Sequence, residues 1–477
     1  MIRLLVGVFL CSLFFFSSCA TWYERTSEFQ QTIETGNFEK ADKLLRKDKR
    51  MAKGKNKILF YLNLGYVEFM AGHPKESNQA FETAEQLIDE QVRNPALQAA
   101  VLLSNPEILP YKPEDFEVIM VNFYKSMNYL QMGDMEGAMV EVRKINIKLQ
   151  QLNDKYPDHK NRYQRDAFAH LLMGLIYDAS GNYNDAFIAY RNAFETYQTD
   201  YQKNFGLGAP DQLKQDLMRT AYLCGFTSEL KQYEREFEVQ YHYTAPSPYG
   251  QLVFFWLNGL GPVKSEWGIN FVKERRGDGA IVFHNAEYGL TFPFFWGSAS
   301  TEEQNSLADL KIVRAVFPKY VERPLTYTQA DLRYKGQRFG LEMAEDINQI
   351  AFKTLHDRMV RELSTSLLRV ATKQGIQYAA SKQNEWVGFF VGLANAATEK
   401  ADTRNWQTLP YSISYRRIPL QAQENKIVLN CFAPKGGKMT QEFTFMGQPK
   451  RRIFLFTLRY RLNIYRYFSP LSSIILK

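Results

Sequence analysis

Hydrophobic and polar residues are arranged differently in the two halves of this 477-residue chain. Up to about residue 245, apolar positions recur three or four residues apart in short segments that end at glycines, which is the period of amphipathic helices. After the proline-containing stretch 245–248, apolar and aromatic residues form short runs bounded by turn residues, as in buried strands. The pattern predicts an α+β protein with a helical repeat domain at 19–245 and a mixed α+β domain at 246–477.

The second domain is expected to hold a mostly antiparallel sheet and one long amphipathic helix. From residue 341 to 378, apolar residues recur at helical spacing. Residues 386–397 contain a G-x-x-x-G spacing in a run too short to cross a bilayer, which favours a buried packing helix. The predicted strands are 251–257, 269–271, 279–283, 290–296, 312–316, 427–432, 441–446 and 452–460.

The clearest internal repeat lies at residues 167–194. Its small and aromatic residues match the tetratricopeptide (TPR) pattern: they are Gly174, Tyr177, Gly181, Ala186, Tyr190 and Ala193. The small residues allow two antiparallel helices to approach closely, the aromatic residues fill the groove between repeats, and the glycine at the turn permits a sharp reversal. Weaker copies have turn glycines at Gly36, Gly72, Gly133 and Gly225.

The intervals between these glycines are irregular, so an irregular helical bundle remains the alternative to a TPR-like solenoid. TPR arrays have no chemistry of their own, and their concave surface binds peptides or protein segments. We therefore expect a protein or peptide partner in the groove of the repeat domain.

The N-terminus resembles a lipoprotein signal peptide at residues 1–18. A short basic start precedes an apolar run, and small residues then lead to Cys19, as in a bacterial lipobox. Cys19 is the predicted lipidation site, and several acyl chains on it would make a stable, palmitate-bearing anchor. An ordinary secretory signal is the alternative. Ala20, where an Asp would favour inner-membrane retention in similar lipoproteins, points to the outer membrane and its periplasmic face.

Composition narrows the function classes further. The formal net charge of +8 is a mild excess for this length, which argues against a nucleic-acid partner and suits a protein beside an anionic membrane. The four cysteines and six histidines match no metal or redox spacing. No cofactor, no metal site and no catalytic residues are predicted.

The stretch Thr398 to Pro410 (TEKADTRNWQTLP) is the most specific piece of sequence. Together with the lipobox, the TPR-like helices and the strand QLVFFWL, it resembles an uncharacterised family of TPR-containing bacterial envelope lipoproteins. The resemblance implies an architecture and a location in the cell envelope but no activity. Residues 462–477 have no recognisable counterpart in that family.

Three residues of this stretch are candidates for a ligand site: Asp402, Arg404 and Trp406. The alternative is structural, with Arg404 paired to Asp402 or a carbonyl and Trp406 packed into the sheet. The glycine-bearing loop 275–280 is interpreted as a hairpin turn, since no helix follows it. The cationic and aromatic run 450–466 is interpreted as a charged edge strand or a surface against anionic lipid.

The sequence thus favours a lipid-anchored periplasmic scaffold or adaptor that binds a protein through its TPR groove, in envelope or peptidoglycan assembly. A non-enzymatic role fits the absence of a catalytic motif. An enzyme of unknown chemistry in the C-terminal domain is the alternative. The oligomeric state is left open.

Overall fold

The computed structural model describes residues 21–94, 106–155, 165–245, 247–275, 280–285, 290–295, 312–358, 401–422, 424–447, 452–459 and 466–468. Up to residue 237 this part of the chain is helical. The helices are α1 (Trp22–Arg25), α2 (Ser27–Glu34), α3 (Phe38–Lys47), α4 (Lys57–Ala71), α5 (Pro74–Val92), α6 (Asp115–Gln131), α7 (Met135–Lys155), α8 (Ala167–Ala179), α9 (Tyr183–Thr196), α10 (Gln202–Phe205), α11 (Asp211–Leu223) and α12 (Thr227–Glu236).

Consecutive helices pack against each other as hairpins, in the manner of TPR repeats. The described pairs are α2 with α3, α4 with α5, α6 with α7, α8 with α9, and α11 with α12. The turns contain Gly36, Gly72, Gly133, Gly181 and Gly225, whose φ angles lie between +70° and +83°. Since only glycine adopts this conformation without strain, the turns predicted at these five glycines are confirmed.

Small residues let the two helices of a hairpin come close. A Cβ atom on Gly174 would lie 2.3 Å from the Tyr190 ring, and one on Gly65 would lie 2.6 Å from the Phe81 ring. Tyr190 is fully buried, and so are Ala186 and Ala193, while Tyr177 is 7% exposed. Gly174 and Gly65 therefore leave the space into which the aromatic rings of the second helices pack.

The first helix of each central hairpin is buried on nearly every side. In α4, 13 of 15 residues are buried, in α6 13 of 17, and in α8 11 of 13. The second helix α5, by contrast, has 6 buried residues of 19. A helix that is buried on nearly every side packs against neighbours on two sides. These inner helices therefore have a second packing surface besides their hairpin partners.

The rest of the described chain is mainly β-structure. The strands are β1 (Gln251–Asn258), β2 (Val263–Arg275), β3 (Ala280–Asn285), β4 (Leu290–Phe295), β5 (Ile312–Val321), β6 (Gln329–Tyr334), β7 (Gln337–Gly340), β8 (Glu342–Asp346), β9 (Ser412–Pro419), β10 (Glu424–Phe432), β11 (Lys438–Met446), β12 (Arg452–Arg459) and β13 (Arg466–Phe468). They form three sheets, ordered β13–β12–β1–β9–β8, β11–β10–β6–β7 and β4–β3–β2–β5. Among the described strands all pairs are antiparallel except β1 with β12.

Strand β1 explains the continuous apolar run QLVFFWL, because both of its faces are buried. Val253, Phe255 and Leu257 belong to the core shared with the helices, where the Phe255 ring lies 6.2 Å from that of Phe168. The alternate residues, such as Phe254 and Trp256, pack against the β11–β10–β6–β7 sheet. The five-stranded sheet is thus sandwiched between the inner helices and a second sheet.

One helix prediction and one strand prediction are wrong. The helix expected from residue 341 begins later: 342–346 is strand β8, and the described helical residues are 347–358. The strand expected at the sheet edge, β12, lies between β1 and β13. The predicted helix 386–397, the signal peptide with Cys19, the loop 276–279 and the tail 469–477 lie outside the described residues.

Candidate functional site

Residues 401–411, here called the docking segment, lie across the inner face of the helical array. The Trp22 amide of α1 donates to Thr403 Oγ1 at 2.9 Å, and Gln30 Nε2 of α2 donates to Gln407 Oε1 at 3.0 Å. Thr408 bonds to Asn63 of α4 at 3.2 Å. The surface on which the sequence predicted a bound partner is therefore filled by the chain itself.

Trp406 is the central anchor of the docking segment. Its side chain is 1% exposed, and its ring centroid lies 5.8 Å from those of Phe81 and of Tyr124. Its backbone amide donates to Glu117 Oε1 at 2.7 Å. The interpretation that Trp406 packs into the sheet is wrong, because its indole fills a socket between helices, and the Phe81 ring that forms this socket rests on Gly65.

Arg404 is held in place by backbone and side-chain acceptors on both sides. Its Nε and Nη2 atoms donate to Asp402 at 2.8 and 2.6 Å, and Nη2 also donates to the Leu109 carbonyl at 3.0 Å. Nη1 donates to Asn56 Oδ1 at 3.0 Å. The guanidinium also lies 5.7 Å from the Tyr111 ring. Because these acceptors take up the hydrogen-bond donors of Arg404, the Asp402–Arg404 pair has a structural role: it attaches the docking segment to the helical half.

Two buried glutamates beneath the docking segment have pKa values shifted in opposite directions. Burial favours the neutral form of Glu114, but Arg358 at 2.8 Å and Lys264 at 2.6 Å lower its pKa to about 2. Burial and the neighbouring Glu114 raise the pKa of Glu117 to about 7. Such a split is typical of acid–base sites.

Geometry argues against catalysis by this pair. Glu117 is 1% exposed and accepts bonds from Tyr111 Oη and from the Glu114 and Trp406 amides. Glu114 and Glu117 form the capping box that begins α6. The two glutamates therefore hold the helix start and the docking segment together.

A second charged cluster ties strand β9 to the helices. The Arg417 guanidinium contacts Asp178 at 2.9 Å and Asp216 at 3.1 Å, and Nη2 donates to Tyr190 Oη at 3.1 Å. Its side chain is 5% exposed. Arg219 pairs with the same Asp178. The repeat residue Tyr190 thus packs on Gly174 and also bonds to the strand-rich half, a role that its repeat position alone did not indicate.

A third contact joins strand β8 to a π-helical turn at Tyr197–Tyr201. Tyr197 Oη donates to the Ala344 carbonyl at 2.5 Å, and Tyr201 Oη lies within 3.3 Å of Glu345 and of Asp166. Burial and the nearby Asp166 raise the pKa of Glu345 well above its usual value. Sequence reasoning missed this contact and the Arg417 cluster, because each joins residues more than a hundred positions apart.

A surface groove of about 790 Å³ lies between the β6–β7 hairpin and the segments that precede β1 and follow β9. Its lining includes Tyr249, Lys335, Phe339 and Leu420. Ser247 in the same groove donates its hydroxyl to the Leu420 carbonyl, so it is not paired with a base.

In the described residues no group of His, Cys, Asp and Glu is placed to hold a metal ion. None of the described helices has the length and apolar character to cross a membrane.

The helical part of the chain is similar to solved structures of low sequence identity. No protein-family model matches the chain, and no curated protein sequence matches it. Solved structures that match its helical part include MamA, at 14% identity over 44% of this chain and 91% of MamA with a TM-score of 0.27. The apo form of RapI matches at 13% identity over 45% of this chain and 68% of RapI, with a TM-score of 0.32. The Rap conjugation gene regulator of plasmid pLS20, solved with the Phr* peptide, matches at 14% identity over 44% and 52%, with a TM-score of 0.27.

Proposed function

We propose that this chain is a lipid-anchored scaffold protein of the bacterial cell envelope, attached through Cys19 at the periplasmic face of the outer membrane. Its repeat helices and its strand-rich half form one interlocked body that presents its outer surface to a protein partner. The observation that carries the proposal is the docking segment: Trp406 packs between the Phe81 and Tyr124 rings, and Arg404 bonds to the connections that precede α4 and α6. The inner face of the helical array therefore binds the docking segment of the same chain.

The position of the first helix supports attachment close to a membrane. Thr21 caps α1 through a reciprocal pair of bonds with Glu24, and Trp22 is buried against the docking segment. Thr21 follows Cys19 by two residues, which span at most about 7 Å of extended chain. An acyl group on Cys19 would hold the folded body directly at the lipid surface.

Partner binding is proposed for the outer helices. On α7, Val140 and Ile147 are 48% and 54% exposed, and their spacing of seven residues puts them on one face of the helix. Ile188 on α9 is 38% exposed. A protein partner in envelope or peptidoglycan assembly would meet these side chains rather than the filled inner face.

The anchor is tested by labelling cells with palmitate. We expect Cys19→Ala to abolish labelling and membrane retention, because the acyl chains attach at this residue. Cys11→Ala, inside the signal peptide, is the matched control and should keep both. Palmitate incorporated into the Cys19→Ala chain would refute the anchor.

The partner surface is tested by placing a photoreactive amino acid at single positions of the full chain. Position 188 should give a discrete crosslinked product in cells, while position 406 should react within the chain. A discrete intermolecular product from position 406 and none from position 188 would show that the inner face receives the partner.

A further inference from the structure

One stretch of 15 residues in the helical half carries a high local positive charge. Residues 43–57, here called the basic segment, contain eight Lys or Arg and one acid, Asp48, a net charge of +7, while the whole chain carries +8. The segment covers the end of α3, the connection to α4 and the first residue of α4. The basic segment is therefore a local concentration of positive charge that the total of +8 does not reveal.

Four cations of the basic segment face solvent, whereas Arg46 pairs with Asp42 and Glu68. Lys47, Lys49, Arg50 and Lys53 are exposed, and none of them forms an ion pair with an acid of the described residues. The one acid of the segment, Asp48, bonds to the backbone instead of to these cations: its Oδ1 accepts the Arg50 and Met51 amides at 3.1 and 3.0 Å. These cations are thus available to an external anion.

The backbone of the basic segment is fixed to the rest of the body. Met51 is 6% exposed, and the Lys55 carbonyl accepts the Tyr111 amide at 2.7 Å. Lys55 Nζ donates to the Glu107 carbonyl at 2.7 Å. The backbone of the basic segment is consequently already ordered. A ligand that binds its cations does not have to order the loop first.

The same Glu107 connects the basic segment to the N-terminal end of the chain. Its carboxylate pairs with Arg25 of α1 at 2.7 Å. Arg25 follows Cys19 by six residues. The end of the body that would carry the acyl anchor and the patch of positive charge therefore lie side by side.

We propose that the basic segment binds anionic lipid headgroups of the membrane in which Cys19 is anchored, as a second attachment point. This inference rests on the proposed function, which supplies the anchor. Clusters of four to eight Lys or Arg beside an anchor attract anionic lipid surfaces, and stable attachment commonly combines a lipid with a basic patch. The segment contains no aromatic residue, so it lacks the stacking platforms of single-stranded nucleic-acid sites.

The test uses the unacylated chain from Ala20 to Lys477, which retains every described residue, with phosphatidylcholine vesicles that contain about one-third phosphatidylglycerol. Each exposed cation near such a surface contributes roughly fivefold to binding, so the triple variant Lys49→Gln/Arg50→Gln/Lys53→Gln should bind on the order of 100-fold more weakly in cosedimentation. Vesicles of phosphatidylcholine alone should bind neither protein.

The matched control removes three exposed cations at the other end of the array, Lys203, Lys231 and Arg235, by the same change to Gln. It should bind within a few-fold of wild type. Equal losses in both variants, or no binding by wild type, would overturn the inference, as would single-stranded RNA binding that depends on the basic segment while vesicle binding does not. Acylation takes no part in this assay, so a failed anchor and a failed basic segment give different results.

Discussion

Replacing Trp406 by alanine tests whether the two halves form one body. The indole is 1% exposed and sits between the Phe81 and Tyr124 rings, so its removal leaves a cavity between α5, α6 and the docking segment. Truncation of a buried Trp costs about 3–5 kcal/mol. Because the free energy of unfolding of most proteins is about 5–15 kcal/mol, this loss is a large fraction of the total. Trp406→Phe should cost less, since the indole Nε1 has no hydrogen-bond partner among the described residues.

Urea unfolding measured with two probes shows whether Trp406→Ala destabilises both halves of the chain or only one. Circular dichroism reports on the helices, and fluorescence reports mostly on the strand-rich half, because Trp22 is the one tryptophan of the sequence that precedes residue 245. Both transitions of Trp406→Ala should move together to lower urea. Trp267→Ala, which removes the same side chain from a half-buried strand position, is the control and should cost less. A loss below about 1 kcal/mol, or a helical transition that does not move, would refute the reasoning.

Two further predictions address the packing and the buried acids. Gly174→Ala should lower the free energy of unfolding by about 1–3 kcal/mol, because its Cβ would overlap the Tyr190 ring, while Gly340→Ala, with open space around it, should cost little; an unchanged melting temperature for Gly174→Ala would contradict the packing. Burial and Glu114 raise the pKa of Glu117 from 4.5 to about 7, so its carboxyl holds a proton more tightly in the folded state and stability falls as pH rises across that window. The stability advantage of wild type over Glu117→Gln should therefore shrink by on the order of 3 kcal/mol between pH 4.5 and 7, and a constant advantage would exclude this titration.

Local features of the fold could be predicted from the sequence because they depend on near neighbours. The turn at Gly181 and the contact of Gly174 with Tyr190 lie within one hairpin, and the strand at 251–257 follows from a short apolar run between turn residues. Strand β8 was missed for a physical reason. A bulge between Met343 and Glu345 interrupts the two-residue alternation of the strand, and Ile347 directly after the strand begins the helix, so Ala344 and Ile347 continue the three-residue spacing of the helical pattern.

The contacts between the halves could not be predicted in this way. Arg404 reaches the Leu109 carbonyl, 295 positions away, and Arg417 reaches Tyr190, 227 positions away. Neither pair has a spacing that a repeat or a motif would indicate. The basic segment, by contrast, is a continuous run rich in Lys and Arg, so its charge can be read from the sequence alone.

The burial of the inner helices decides where a partner can bind. Helices α4, α6 and α8 are buried on nearly every side, so an array separated from the strands would expose buried apolar side chains such as Tyr124 and Phe168 to water. A soluble fragment of residues 22–237 would therefore gain a sticky surface that the intact chain does not have, and capture of a protein by that fragment would not reveal the natural partner. Binding experiments on this protein need the whole chain, with its inner face closed by the docking segment.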